Sequence, residues 1–440
     1  MFRQQLQKGA DVNKTDMHQQ VREPYAALIG IDWASRKHDV WHYDTGSRKQ
    51  SHQVVEHTPE ALSAWTAQLR SDYPGQFVAV CLEQSRGALI QALSGCEFIT
   101  FYPVNPATLA KYREAFAPSG AKDDPTDSKL LMELLLKHRD KLRAWKPQDE
   151  QTRSIGLLNE DRRKYVDLRT KLALRLQAVL RGYFPQALDL LAENLTSELA
   201  CAFIQKWPEL EMLKRAKPET VRAFYYRHNY RRADLVESYI EKIRTAAVLT
   251  GDRAVVCVSM ITAQALARQI RLTSSTIEQY DEEIYTLFEK HPDAFIFKSL
   301  PGSGRVLGPR LLSALGSERD RYDDACELQT YSGIAPVVER SGKQEWIHCR
   351  SQCPTFLRQS FHEFANCSRH FSVWAEAYYE LQRERGKKHH AAVRSLAFKW
   401  QRIIFRCWKA RISYNEEQYI QALKENGSPL WLRIEALKAA

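Results

Sequence analysis

The hydrophobic and polar positions divide the chain into regimes of different period. YAALIGIDWA (residues 25–34), HDVWHYD (38–44) and SHQVVEH (51–57) read as three consecutive short strands. The first is apolar almost throughout, as a central strand covered on both faces must be. A helical EALSAWTAQLR follows, then QFVAVCLE and EFITFYPV, two further strands separated by a helix at about residues 85–94. Three strands in succession, then alternating helices and strands, predict a mixed sheet covered by helices, an α/β domain over residues 25–145 behind a polar tail at 1–24.

From about 146 to 295 the period lengthens. Leu158, Tyr165, Leu172 and Val179 recur every seven residues, and Leu266, Ile270, Thr273, Ile277, Tyr280, Ile284 and Leu287 alternate steps of four and three. The second run is a coiled-coil seam, whose partner is either a helix of the same chain or one from another subunit. Residues 185–255 between the runs are helical and irregular. A mostly helical C-terminal domain is expected over 296–425, with a tail at 426–440.

Within that domain, SLPGSGRVLGPRLLSALG (299–316) is punctuated by Gly and Pro before it becomes a helix. Such a turn either presents backbone N–H groups, with Arg305 and Arg310, to a phosphate, or packs tightly between helices. It lacks the Lys-Ser/Thr ending of a P-loop, which argues against nucleoside triphosphate hydrolysis. From Gln382 to Arg411, Lys and Arg are interleaved with Phe398, Trp400, Phe405 and Trp408. The rings are expected in the core, with Lys387, Lys388, Arg394, Lys399, Arg402 and Arg406 on phosphates.

Charge points the same way. A net charge of +11 over 440 residues favours a polyanion, and 44% hydrophobic residues are ample for real cores. No apolar run approaches the roughly 18 residues that a membrane helix needs, and MFRQQLQKGADVNKTDMHQQ has no signal core, so a cytoplasmic protein without a membrane partner is expected. Nine cysteines, an odd number, fit reduced thiols. His348, Cys349, Cys353 and His362 match no common zinc finger and read as incidental thiols and imidazoles.

The acids carry the chemistry. Asp32 ends the apolar run LIGID and Glu83 ends VAVCLE, and a carboxylate half buried at a strand end is costly unless it has a task. GAKDDPTDSKLL adds Asp123, Asp124 and Asp127 just before the helical SKLLMELLLKHRDKL. Asp124 and Asp127 share a face of that helix start, while Asp123 diverges from it. Helix capping alone accounts for Asp127 but not for the set. Four converging carboxylates repel one another without a divalent cation, and hard oxygen ligands suit Mg²⁺ or Mn²⁺.

Acids in this order on a mixed sheet resemble the RNase H-like fold of RuvC-type nucleases. GIDWASRKHDV, VCLEQSRG, KDDPTDSKLL, SLPGSGRVLGPRLLSALG and YSGIAPVVERSGK together resemble the DEDD transposases of bacterial insertion sequences, the family described as bridge-RNA-guided serine recombinases. The resemblance implies an RNase H-like (RuvC-like) α/β domain whose metal site is Asp32, Glu83, Asp124 and Asp127, then a helical coiled-coil region and a mostly helical transposase domain. It places the nucleophile at Ser341, in a Ser-Gly motif after the turn in GIAP. The implied activity is cutting and rejoining DNA through a covalent phosphoserine. The implied partners are element ends and target DNA, a structured guide RNA, and further copies of the chain as a dimer or tetramer through the coiled coil. Two departures stand out. The family's Lys-Thr-Asp-Arg-x-Asp-Ala reads Lys122, Asp123, Asp124, Pro125, Thr126, Asp127, Ser128 here, and the loop after Ser341 reads CRSQCPTFLRQSF. The competing readings are a metal-dependent junction nuclease in which water attacks, and a nucleic-acid-binding protein that has lost catalysis; the full set of acids argues against the latter.

Overall fold

The computed structural model describes residues 24–83, 87–116, 124–145, 147–191, 194–342 and 344–439. Almost all of the expected N-terminal tail, and Asp123 with it, lie outside these residues. The chain forms two compact units, Met1–Pro147 and Gln148–Ala440.

The first unit runs β1 (Ala27–Trp33), β2 (Lys37–Asp44), β3 (Gln50–Glu56), α1 (Pro59–Asp72), β4 (Val78–Leu82), α2 (Ala88–Leu93), β5 (Ile99–Pro103), α3 (Pro106–Phe116) and α4 (Asp124–His138). Its five-stranded sheet has the order β3-β2-β1-β4-β5. β1 is antiparallel to β2 and parallel to β4, and β5 runs parallel to β4. The run that is apolar almost throughout is the central strand, as both its faces are covered. Ile29, Ile31, Val80 and Leu82 pack with α1 and α2 on one face, while Leu28, Ala79 and Cys81 pack with α4 on the other.

Gly30 decides how near α4 comes. A Cβ there would lie 1.9 Å from the carbonyl oxygen of Ser128 and 2.4 Å from the amide nitrogen of Met132, so the helix backbone rests on the strand backbone. This contact holds the first turn of α4 over the end of β1.

The second unit opens with α5 (Glu150–Tyr183), then five shorter helices: α6 (Gln186–Leu190), α7 (Glu198–Lys206), α8 (Leu210–Lys214), α9 (Pro218–Arg227) and α10 (Ala233–Thr245). The stretch that looked irregular is thus a compact helical cluster with a core of its own, including Phe203, Trp207 and Tyr225. The long α11 (Arg253–Lys290) then returns antiparallel along α5. Of the two partners open to the heptad seam, the chain's own α5 fills it. Arg162 donates to both oxygens of Asp281 at 2.6 and 2.9 Å, the Tyr165 and Tyr280 rings lie 5.5 Å apart, and Ile270, Ile277 and Ile284 are buried. That seam is therefore satisfied within the chain and is not the expected route to an oligomer.

The remaining elements are α12 (Ala294–Lys298), α13 (Gly304–Leu315), α14 (Ala325–Tyr331), the hairpin β6 (Val337–Ser341) and β7 (Gln344–His348), α15 (Thr355–Ser368), α16 (Val373–Glu384), α17 (His389–Ala410), α18 (Glu416–Glu425) and α19 (Pro429–Ala439). Two expected boundaries do not hold. Ile155, Ile284 and Phe288, from the ends of α5 and α11, lie in the same core as Trp374 and Trp400, so the chain does not divide at 295. Residues 426–440 are not a loose tail either. They include α19, which buries Leu430 and Ile434 and holds Arg433 against Glu380 and Glu384.

Candidate active site

The register brings the strand-end acids together. Ile31 pairs with Leu82 across the parallel β1 and β4, so the next residues, Asp32 and Glu83, are neighbours. Across the antiparallel pair, Asp32 stands opposite Asp39 of β2, and directly opposed residues project from the same face. That face is the one under α4, whose first turn carries Asp124, exposed, and Asp127, only 3% exposed. Burial, then the negative fields of Asp127, Asp124, Glu83 and Asp39, push the Asp32 carboxyl up to about 7. All four predicted acids therefore belong to one electrostatic cluster.

Sequence reasoning missed three members of this neighbourhood. Asp39 is the first. HDVWHYD places it on the face of Trp41 and Tyr43, and that alternation was the signal available. The second is His52 of β3, whose Nε2 lies 2.7 Å from Asp39 Oδ1. The third is Arg113 of α3, whose guanidinium donates to both Asp127 oxygens at 2.7 and 2.5 Å. No local pattern marks Arg113, since its partner lies 14 residues away in the sequence.

In donor chemistry the cluster fits a hard divalent cation: its acids offer only oxygens, and burial together with the negative charge around it raises the Asp32 carboxyl. The side chains are not drawn into a ligand shell. Among the described residues no three His, Cys, Asp or Glu side chains stand as a metal-holding group, and Asp127 faces Arg113.

Ser341, in the second unit, ends β6 and pairs with Gln344 of β7 across the turn. Gly342 follows it at φ +59, a left-handed conformation that glycine adopts without the Cβ penalty. Ser341 is exposed, and so are Val338, Trp346 and Ile347 of the same hairpin, the last by 67%. The strands are cross-linked by Arg340 and Glu345 at 2.8 Å.

The predicted phosphate contacts separate into two groups. Lys387, Lys388, Arg402 and Arg406 are exposed around a helix whose Trp400 and Trp408 are buried, as expected. Arg394 lies against the Cys349 sulfur, and Lys399 is half-buried over the Tyr378 ring. Arg305 is exposed but paired with Glu282 at 3.0 Å. Arg310 is 7% exposed and bonded to Glu363, so its assignment to a phosphate is withdrawn: its charge is already compensated inside the fold. The Gly-rich turn before it packs closely, for a Cβ on Gly302 would lie 2.7 Å from Phe371. Its packing role is thus the one observed. The His348, Cys349, Cys353 and His362 group has no metal-holding geometry, and Cys353 instead packs against Gly333.

Comparison with known proteins places the chain in a family. Residues 29–185 match a family model of the DEDD class described as "Transposase", and residues 294–380 match one described as "Transposase IS116/IS110/IS902 family". The chain belongs to this transposase family, a family of enzymes that cut and rejoin DNA. Over 401 residues it is 28% identical to a protein of Streptomyces coelicolor named as a candidate mini-circle transposase for IS117, covering 89% of this chain and 96% of that protein. It is also 28% identical, over 63% of this chain and 68% of the relative, to an insertion element IS116 protein of Streptomyces clavuligerus, and 22% identical, over 85% and 92%, to an insertion element IS110 protein of Streptomyces coelicolor.

Proposed function

We propose that the protein is the transposase of an insertion sequence, cutting and rejoining DNA through a covalent phosphoserine on Ser341. The observation that carries the reading is the convergence of Asp124, Asp127 and Glu83 on Asp32 at the end of the central strand of a five-stranded mixed sheet, which supports an RNase H-like (RuvC-like) domain. Asp32, Glu83, Asp124 and Asp127 would hold the divalent cation, Mg²⁺ or Mn²⁺. When bound, it supplies Lewis acidity and a lowered pKa for the attacking hydroxyl.

The chain's own residues do the rest. The hairpin presents Ser341 on an exposed turn, where a strand of DNA has access. Its Oγ bonds to phosphorus as the bond from phosphorus to a deoxyribose oxygen breaks; the serine proton leaves, and the released sugar oxygen takes one up. Rejoining reverses this with a different sugar hydroxyl, so no external energy source is needed. Lys387, Lys388, Arg402 and Arg406 support binding of element ends, target DNA and a structured guide RNA by neutralising phosphates. The protein works as a homo-oligomer, dimer or tetramer, assembled through surfaces other than the filled α5–α11 seam.

Ser341→Ala tests the mechanism. The side chain is exposed, so folding should be unaffected. With Mg²⁺, guide RNA and end-containing DNA, the wild type should give protein-bound DNA after denaturation and the variant none, while still binding both nucleic acids. Exposed Ser351→Ala is the control. Free nicks formed by Ser341→Ala at the wild-type rate would reject the phosphoserine and leave a water-using junction nuclease.

A further inference from the structure

The acidic cluster already holds a cation of its own. Arg113 sits in the last turn of α3, where the helix dipole favours positive charge, and its fork meets both oxygens of Asp127. The side chains are 17% and 4% exposed, so the pair is largely out of water. A bidentate guanidinium–carboxylate pair is among the stronger hydrogen-bonded contacts, and removing one partner leaves the other as an uncompensated buried charge. Asp127 is a carboxylate that the proposed metal site needs. A divalent ion would approach its oxygens to about 2.1 Å, where the guanidinium stands at 2.5 to 2.7 Å.

Two relations between Arg113 and a metal are physically available, and they have opposite signs. If Arg113 stays in place, it acts as an outer partner that orients Asp127 as a ligand, and its loss weakens metal binding, typically by about 10- to 100-fold. If the two cations want the same charge, the loss of Arg113 strengthens metal binding. The structure favours the second. Both Asp127 oxygens that a metal would take are already engaged by the guanidinium, and the pair is held inside the fold at 17% and 4% exposure.

We propose that Arg113 is the site's resident countercation, a positioning residue that competes with the divalent metal for Asp127 and is displaced from it when the metal enters. The proposal rests on the metal reading above. It gives the fold a means of keeping four like charges together before metal and nucleic acid arrive, and it makes metal loading a rearrangement of α3 against α4 instead of a filling of a preformed shell.

The test titrates Mn²⁺ into the metal-free full-length chain without nucleic acid, with free Mn²⁺ read by electron paramagnetic resonance. Arg113→Gln should bind Mn²⁺ roughly tenfold more tightly than the wild type, the effect of removing a competitor worth one decade of affinity. The gain should disappear when Asp127→Asn is added, because the two substitutions act on one contact. Unchanged or weaker binding by Arg113→Gln, or a gain that persists with Asp127→Asn, overturns the proposal. If Arg113→Gln melts early without metal, recovery of its melting temperature on adding Mn²⁺ supports the exchange, since the metal then replaces the lost charge. If it is unfolded in both conditions, Arg113→Lys decides: it keeps the charge but loses the fork, so binding at least as tight as the wild type's supports the competition, and weaker binding, the mark of a lost orienting partner, overturns it. A wild type that binds no Mn²⁺ would instead sink the metal reading itself.

Discussion

Asp32 is held at a pKa of about 7 in the folded protein against an ordinary value of 3.8, with burial as the main cause and the neighbouring carboxylates next. Between those two values the folded chain keeps a proton that the unfolded chain has released, so this group stabilises the fold most at low pH and its contribution is lost as pH rises toward 7. Urea unfolding of the metal-free protein should show that decline between pH 4 and 7, and Asp32→Asn should flatten it. In the wild type, Mn²⁺ binding should strengthen as pH rises through the same window, because a ligand must shed its proton first. A pH-independent Mn²⁺ affinity would contradict the place given to Asp32. The four acids were legible from residue type and from their places at two strand ends and one helix start. Asp39 and Arg113 were not, because their significance lies in which strand and helix fold back beside them.

At the level of elements, the site depends on α4 lying flat on β1. Any side chain at Gly30 meets helix backbone at 1.9 and 2.4 Å, and backbone cannot turn aside as a flexible side chain could. Gly30→Ala should therefore lower stability by about 1–3 kcal/mol, the range for overpacking a tight core. It should also weaken Mn²⁺ binding, because the shift carries Asp124 and Asp127 away from Asp32. Gly156, inside α5, is the contrast: an added Cβ there meets nothing nearer than 3.9 Å. Gly156→Ala should raise stability by about 0.5–1 kcal/mol through helix propensity. Equal effects at the two glycines, measured by urea unfolding, would mean that the α4–β1 contact does not set the geometry.

Over the whole molecule, a net charge of +11 predicts salt-sensitive binding to nucleic acid, but the fold decides which charges count. Arg402 and Arg406 are exposed along α17, whereas Lys399 lies half-buried on Tyr378 and Arg310 is bonded to Glu363. Replacing Arg402 and Arg406 with Gln should weaken binding to all sequences and reduce the salt slope by about 0.9 per lost phosphate contact. Lys399→Gln should leave the slope unchanged. A slope that responds to Lys399 and not to the exposed pair would reverse the assignment.

Period and position along the chain determined a good deal unaided: the five strands and their helices, the carboxylates at two strand ends and one helix start, and the two long heptad-bearing helices. These follow from local rules, since a side chain's face repeats every two residues in a strand and every three to four in a helix. Tertiary structure alone decided the partner of each face. It gave the α11 seam to α5, Asp127 to Arg113, Asp39 to His52 and Arg310 to Glu363. Each is a contact between groups brought together by the path of the backbone, and a charge or apolar stripe is equally well satisfied by any partner of the right chemistry until that path selects one.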